Sequence, residues 1–519
     1  MTLPWLTILA LVPAVGAVIV VLAGAQLAKQ IALATSVVTL LVALIIATRY
    51  SPGGGMQLAE QVSWIKPLGA YYALGLDGIG LTLVLLVVIV TPVVIIASWR
   101  DFDPVDDGVV PPAQDTVPPK YDSRVFFALI LAVETCALFL FLATDVFLFY
   151  VFFEVILIPM YFLIGGFGGA RRAYAASKFL IFGLLGGFVM LASVVGLYVL
   201  SARAGEASYL LSDLSGLTID TATGRWLFAG FMFAFAIKAP LVPLHTWLPD
   251  AAEESSPGGA TMMVGVMDKI GTFGMIRFCL GLFPEASQWA TPVVIVLAVI
   301  SILYGAILAI GSRDLMRLIA YTSISHFGFI VLGIFALTSQ SLVGSTLYML
   351  NHGLSTAALF LVAGYLIKRR GSRDVADFGG VQTVAPVLGG LLLFAGLSTL
   401  SLPGLSSFVS EFMVLAGTFS RYPAAAVVST LAIVLAALYI LIMYQRTMTG
   451  PVTAEVDRTV RRDLNARERF AVAPLIVLIL FLGLFPRPLL DVIDPAVQAT
   501  MQRVGVTDPQ PLVDAEGGR

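Results

Sequence analysis

The stretch FMFAFAIKAPLVPLHTWLPD occupies residues 231–250. Seven apolar residues lead up to Lys238, and Pro240 and Pro243 follow it almost at once. A run this apolar belongs in hydrocarbon, where a lone ionisable side chain is costly and marks a functional site. Proline has no N–H to donate and interrupts a helix. Interrupted helices persist at membrane depth only where the freed backbone is buried in protein or lines a cavity. These residues therefore specify a membrane helix broken beside a buried lysine.

The rest of the chain has the same character. Of its 519 residues 59% are hydrophobic and only 12% charged, about half the charge density of a soluble surface. That excludes soluble multidomain, disordered and fibrous classes, and two cysteines exclude a disulfide scaffold. The fold class is an all-α polytopic membrane protein. Apolar runs of about 18 residues or more predict spans near 3–24, 30–48, 76–99, 125–142, 145–164, 176–200, 226–247, 259–281, 290–310, 318–337, 342–367, 383–419 (broken at Pro403-Gly404), 424–445 and 471–490. Only Ala143-Thr144-Asp145 divides the fourth from the fifth. The first run lacks a basic leader and another run follows closely, so it reads as a span and not as a cleaved signal.

Fourteen spans put nineteen Lys and Arg on odd-numbered connections and eight on even-numbered ones or the tail. By the positive-inside rule the odd connections are cytoplasmic and both termini external. Residues 101–120, rich in Pro and Asp, read as a flexible cytoplasmic loop. Residues 447–470 read as a mixed-charge surface segment that meets a partner, and the chain after about 491 as a polar external tail.

A few charges remain inside the spans. Glu154 lies nine residues past Asp145, about 13 Å along a helix. Lys238, Lys269, His326, His352 and Glu411 each sit on a different span. One such residue alone reads as a helix–helix ion pair or a satisfied core group. Six spread over six spans read as stations on a path. Glu134 and Arg277 read as snorkelling from span ends, and Asp268 as a counter-ion to Lys269. A lysine out of water holds its proton less tightly, and a nearby carboxylate restores that hold. A Glu–Lys pair is then a switch, histidines relay, and such parts suit H⁺ better than Na⁺ or K⁺, with an organic substrate in a larger polar pocket left open. Cys136 and Cys279 are apolar-flanked core residues. The three histidines lack metal-ligand spacing, and GFGG at 166–169 precedes no nucleotide-binding unit. Trp64, Trp99, Trp226 and Trp247 read as interfacial anchors.

Two broken spans, the seventh at Lys238 and the twelfth before Glu411, suggest inverted five-helix repeats in spans 4–8 and 9–13. The segments are 1–124 (three spans and the loop), 125–281 and 282–446 (the repeats), and 447–519 (loop, last span and tail).

FMFAFAIKAPLVPLHTWLPDA, GVMDKIGTFGMIRF, LIAYTSISHFGFI, LNHGLSTAALFLVAG and LPGLSSFVSEFMVLAG together resemble the antiporter-like membrane subunits of respiratory complex I, shared with Mrp-type cation/proton antiporters. The resemblance covers about 125–445, and Glu411, where most relatives carry lysine, resembles the M-type branch. It implies a bacterial inner-membrane subunit that couples NADH:quinone oxidoreduction in other subunits to H⁺ pumping. It implies no cofactor in this chain, with FMN, iron–sulfur clusters and quinone elsewhere in the complex. Neighbouring antiporter-like subunits L and N and lipids are the implied partners. By the same resemblance Glu154 pairs with Lys238, Lys269 lies on the central axis, His326 and His352 connect, and Glu411 is the exit site. The sequence departs from the family at Glu253 and Glu254, where histidine is common, and at Asp268. The rival readings are an Mrp-type Na⁺/H⁺ antiporter subunit and a structural spacer of a membrane arm.

Overall fold

The computed structural model describes residues 3–102, 117–460 and 462–510. Most of the predicted loop at 101–120 (residues 103–116) and the end of the tail lie outside the described residues. Ten described helices are long and apolar enough to cross a membrane, or eleven if the bent pair Ala466–Leu484 and Arg487–Val504 counts as one. The predicted fourteen exceeds this because three apolar runs fold as short or irregular helices. The run at 226–247 stops as a helix at Lys238, and the run at 259–281 is partly π-helical. The run at 383–419 divides into Pro386–Thr399 and Ser406–Phe419.

Aspartates set several helix starts. Asp145 accepts hydrogen bonds from the N–H groups of Leu148 (2.8 Å) and Tyr71 (3.0 Å), and so divides the fourth apolar run from the fifth where the sequence predicts. Asp122 caps Ser123–Leu142 by accepting from the Arg124 N–H at 2.9 Å, which holds its carboxyl below the usual carboxylate range. A β-hairpin, Gln57–Ile65 paired antiparallel with Ala70–Leu76, fills the second connection. Its strands are short and were read only as a connection. Glu60 on it accepts from the N–H groups of Leu6 and Thr7, satisfying orphan donors of the first helix.

Without water to expel, membrane helices pack by close contact of small residues and by buried polar bonds. The long helix Ser339–Arg370 is almost wholly buried and runs through the middle of the bundle. It meets Ser406–Phe419 at two glycines. A methyl group added at Gly417 would lie 2.4 Å from the Ser341 nitrogen, and one at Gly344 would lie 2.9 Å from the Val414 nitrogen. This approach brings Tyr348 to Glu411.

Arg369, near the end of the long helix, forms a two-pronged salt bridge with Glu468 (2.6 and 3.3 Å) and donates to the Asp463, Arg462 and Tyr365 carbonyls. Glu468 is nearly buried and completes the capping box of Ala466–Leu484. Arg369→Ala leaves that carboxylate unpaired, and the expected cost is about 3–5 kcal/mol. The check is the melting temperature and yield of the purified assembly; unchanged values would contradict this role.

The end of the chain differs from the polar tail predicted. Arg487–Val504 is a helix bent 72° from Ala466–Leu484. Ile493, Val497, Met501 and Val504 bury one face of it, an i, i+4 spacing diluted by charge on the opposite face.

Candidate functional site

The helix Thr221–Lys238 ends at the lysine itself, and helical structure resumes only at Trp247. The break is held from both sides. Trp247 Nε1 donates to the Ile237 carbonyl at 2.9 Å, and the Val242 N–H donates to Ser301 Oγ at 2.9 Å. Trp247 is thus a buried clamp on the break and not an interfacial anchor. Lys238 is buried, its Nζ has no hydrogen-bond partner, and the amine lies 4.6 Å from the centre of the Phe153 ring, a cation–π distance. It makes no salt bridge with Glu154. The lysine faces the residue before the glutamate, while the glutamate side chain packs against Gly187. The pair predicted from the sequence is open in this structure.

Lys269 follows a π-helical turn, Thr261–Met267. Such wide turns recur at functional sites. The lysine folds back so that Nζ donates to the Val264 carbonyl at 2.6 Å, five residues earlier, and meets His352 Nδ1 at 2.8 Å. The His352 and His326 rings are 5.2 Å apart, centre to centre, at 76°. His326 Nε2 reaches the Tyr439 hydroxyl at 3.5 Å, and its ring lies 5.9 Å from that of Tyr348. Tyr348 donates to Glu411 Oε2 at 2.8 Å, and Ser401 donates to the same oxygen at 2.6 Å. Four predicted residues therefore stand in one line, Lys269, His352, His326 and Glu411, all buried. Glu154 and Lys238 stand outside that line and make no hydrogen bonds into it.

Tyr348, Tyr439 and Ser401 were missed as site residues. Tyr348 was visible in principle, since it precedes His352 by four residues and shares its helix face. Ser401 is in the break, with φ of 61°, a conformation no sequence pattern announces for serine. His245 was passed over too: it is buried in the seventh-span break, 5.1 Å from the Tyr304 ring, with Nδ1 unpartnered.

Two minor readings are corrected. Glu134 does not snorkel; it lies mid-helix, fully buried, with neither carboxylate oxygen hydrogen-bonded. Arg277 is held by Asp77 at 2.8 Å. Asp268 adjoins Lys269 without a direct salt bridge, and both of its oxygens lack a hydrogen-bond partner.

Glu253 and Glu254, which depart from the family pattern, belong to a charged network on the short helix Trp247–Glu254. Glu253 pairs with Arg171 and Arg317 (2.6 Å each), Glu254 with Arg171 (3.3 Å), and Asp250 with Lys178 (2.6 Å) and Arg317 (2.7 Å). The network ties the far side of the break to the helices Arg172–Ala204 and Leu315–Phe335. Among the described residues no group of three or more His, Cys, Asp or Glu has metal-binding geometry.

Residues 143–436 match the family model described as NADH:quinone oxidoreductase/Mrp antiporter, TM. The chain is 52% identical to NADH-quinone oxidoreductase subunit M of Mycobacterium tuberculosis (strain ATCC 25618 / H37Rv), over 98% of this chain and 96% of that protein. It is 34% identical to the subunit M of Escherichia coli (strain K12), over 96% and 97%. A chain of respiratory complex I from Thermus thermophilus with bound NADH superposes with a TM-score of 0.85 at 29% identity, covering 96% of this chain and all of that one. A chain of the Mrp complex from Dietzia sp. DQ12-45-1b shares the fold, with a TM-score of 0.82 at 22% identity, over 97% of this chain and all of that one. With the family model covering more than half of its length and near-full-length relatives at 34% and 52% identity, this integral membrane chain belongs to the NADH:quinone oxidoreductase/Mrp antiporter transmembrane family, in the group of NADH-quinone oxidoreductase subunit M.

Proposed function

We propose that this chain is a proton-translocating module in the membrane arm of a bacterial NADH-quinone oxidoreductase. The observation that carries the reading is the line of Lys269, His352, His326, Tyr348 and Glu411, side chains that hold or relay protons and follow one another at hydrogen-bond or ring-contact range. Protons enter near Lys238, cross the axis at Lys269 and the histidines, and leave outward at Glu411. Movement that closes Glu154 on Lys238 raises the lysine's hold on its proton, and reopening lowers it. Electron transfer, with FMN, iron–sulfur clusters and quinone, belongs to other subunits. Antiporter-like neighbours of the L and N type flank the chain.

The same reading counts fourteen spans. Thr221–Lys238 with its break, the helices between Pro257 and Leu280, the broken pair Pro386–Thr399 and Ser406–Phe419, and Ala466–Leu484 join the ten long helices. Residues 125–281 and 282–446 are then the two repeats, with both termini external. The irregular backbone at Lys238 and before Glu411, in matching places of the two halves, supports this.

The test is purification in mild detergent followed by reconstitution. A flavin- and iron–sulfur-containing arm should co-purify, and NADH with a quinone should acidify the vesicle interior when the complex faces the appropriate way. A Na⁺-dependent pH gradient without NADH would replace this reading with a cation antiporter. Proton flux indifferent to neutralising the buried residues would leave only a structural role.

A further inference from the structure

Two buried lysines serve the proposed path, yet no hydrogen bond joins Lys238, whose Nζ has no partner, to Lys269. Asp268 stands where that link is missing. It is fully buried, and neither carboxylate oxygen has a hydrogen-bond partner. Its place follows from packing. A methyl group added at Gly271 would lie 2.5 Å from the Ala239 nitrogen and 2.7 Å from the Phe235 carbonyl oxygen. The helix Lys269–Gly274 therefore crosses Thr221–Lys238 in backbone contact at the lysine end. Asp268 precedes Gly271 by three residues and shares its face, so it stands on the face that meets the Lys238 end.

A second helix gives the same level. The Phe126 ring lies 3.4 Å from a methyl placed at Gly258, and the Phe141 and Phe273 rings are 5.3 Å apart. Both pairs have the same sequence offset, so Ser123–Leu142 runs parallel to this segment with Cys136 level with Asp268. Lys238, Cys136 and Asp268 therefore lie in one buried neighbourhood, and Lys269 follows Asp268 directly in the chain. A buried carboxylate without a partner costs far more as a permanent fixture than one that exchanges protons with neighbouring lysines.

We infer that Asp268 is a further proton-carrying residue, the station between Lys238 and Lys269; this rests on the proton-translocation reading above. The proton leaves the Lys238 ammonium, which becomes the neutral amine, and converts the Asp268 carboxylate to the acid. The acid passes it to the neutral Lys269 amine, which becomes ammonium, and Asp268 returns to carboxylate. Each step moves one proton and consumes nothing else. Because the Lys269 Nζ already meets His352 Nδ1, the proton arrives at the head of the line to Glu411.

The test uses the assembled complex in proteoliposomes and reads protons moved per NADH oxidised. Asp268→Asn keeps the shape and loses the exchangeable proton, and it should lower that ratio at least about threefold. Asp268→Glu keeps the chemistry and should retain more than half. Asp268→Ser takes the place of the amide if that variant does not assemble. A normal ratio in the Asn or Ser variant overturns the inference, as does a Glu variant that assembles and does no better than Asn. Failure of both Asn and Ser to assemble assigns Asp268 a structural role and overturns it too. Lys269→Met is the control. If it also pumps normally, the underlying proton-pump reading fails; if it is impaired while Asp268→Asn is normal, only the role of Asp268 fails.

Discussion

Glu411→Gln lowers NADH-driven proton translocation by at least about tenfold, a loss of ~1.4 kcal/mol or more in the step it serves, while the complex still assembles. Glu411 is nearly buried and accepts two hydrogen bonds on one oxygen, from Tyr348 at 2.8 Å and Ser401 at 2.6 Å. A glutamine carbonyl accepts the same two bonds, so the packing of the break survives. What disappears is the ability to take up and release a proton. Tyr348→Phe provides the contrast. It removes the hydroxyl that donates to the acid from beside the His326 ring, but leaves the acid itself, and the expected fall is about threefold. Quenching of a pH-sensitive dye in proteoliposomes, normalised to NADH oxidation, reads both. Full pumping by Glu411→Gln would remove this residue from the path.

These two variants also separate what the sequence disclosed from what it hid. Glu411, Lys238 and Lys269 were legible because charge in an apolar run is costly wherever the chain folds. That argument needs no geometry. The breaks were legible for a similar reason, since Pro240, Pro243 and Pro403 forbid a continuous helix. Contacts were not legible. Nothing in the order of residues says that Lys269 turns back onto Val264 and His352, because that depends on a π-helical turn at Thr261–Met267. Nor does it say that Lys238 lies over Phe153. The resemblance supplied a pair, and in the structure its members make no salt bridge. Nor does adjacency say that Asp268 makes no direct salt bridge with Lys269, because neighbouring helical side chains point about 100° apart. The hairpin and the last helix were missed for another reason: hydropathy responds to long apolar runs, whereas the first strand is largely exposed and the helix buries only one face.

Lys269→Met carries the second large effect, because Lys269 is the joint between the two halves of the proposed path. Its ammonium is fully buried, bonded to the Val264 carbonyl at 2.6 Å and to His352 Nδ1 at 2.8 Å, and lies 5.0 Å from the centre of the Phe327 ring. Methionine matches the length of the stem and fills the space without charge, so the bundle keeps its packing. The Val264 carbonyl and His352 each lose a partner, a stability cost of about 1–3 kcal/mol. That is small beside the functional loss, because no neighbouring side chain bonds His352 Nδ1 in its place. Proton translocation should fall at least about tenfold, and the protein should be recovered in the assembled complex. Lys269→Arg tests the same joint from the other direction. It keeps a positive charge, but a guanidinium does not release its proton, and its planar head cannot reproduce the Val264 and His352 contacts. Its pumping should therefore be as poor as that of Lys269→Met. If the arginine variant pumps normally, positive charge at this position is sufficient, and Lys269 organises the axis without carrying the proton across it.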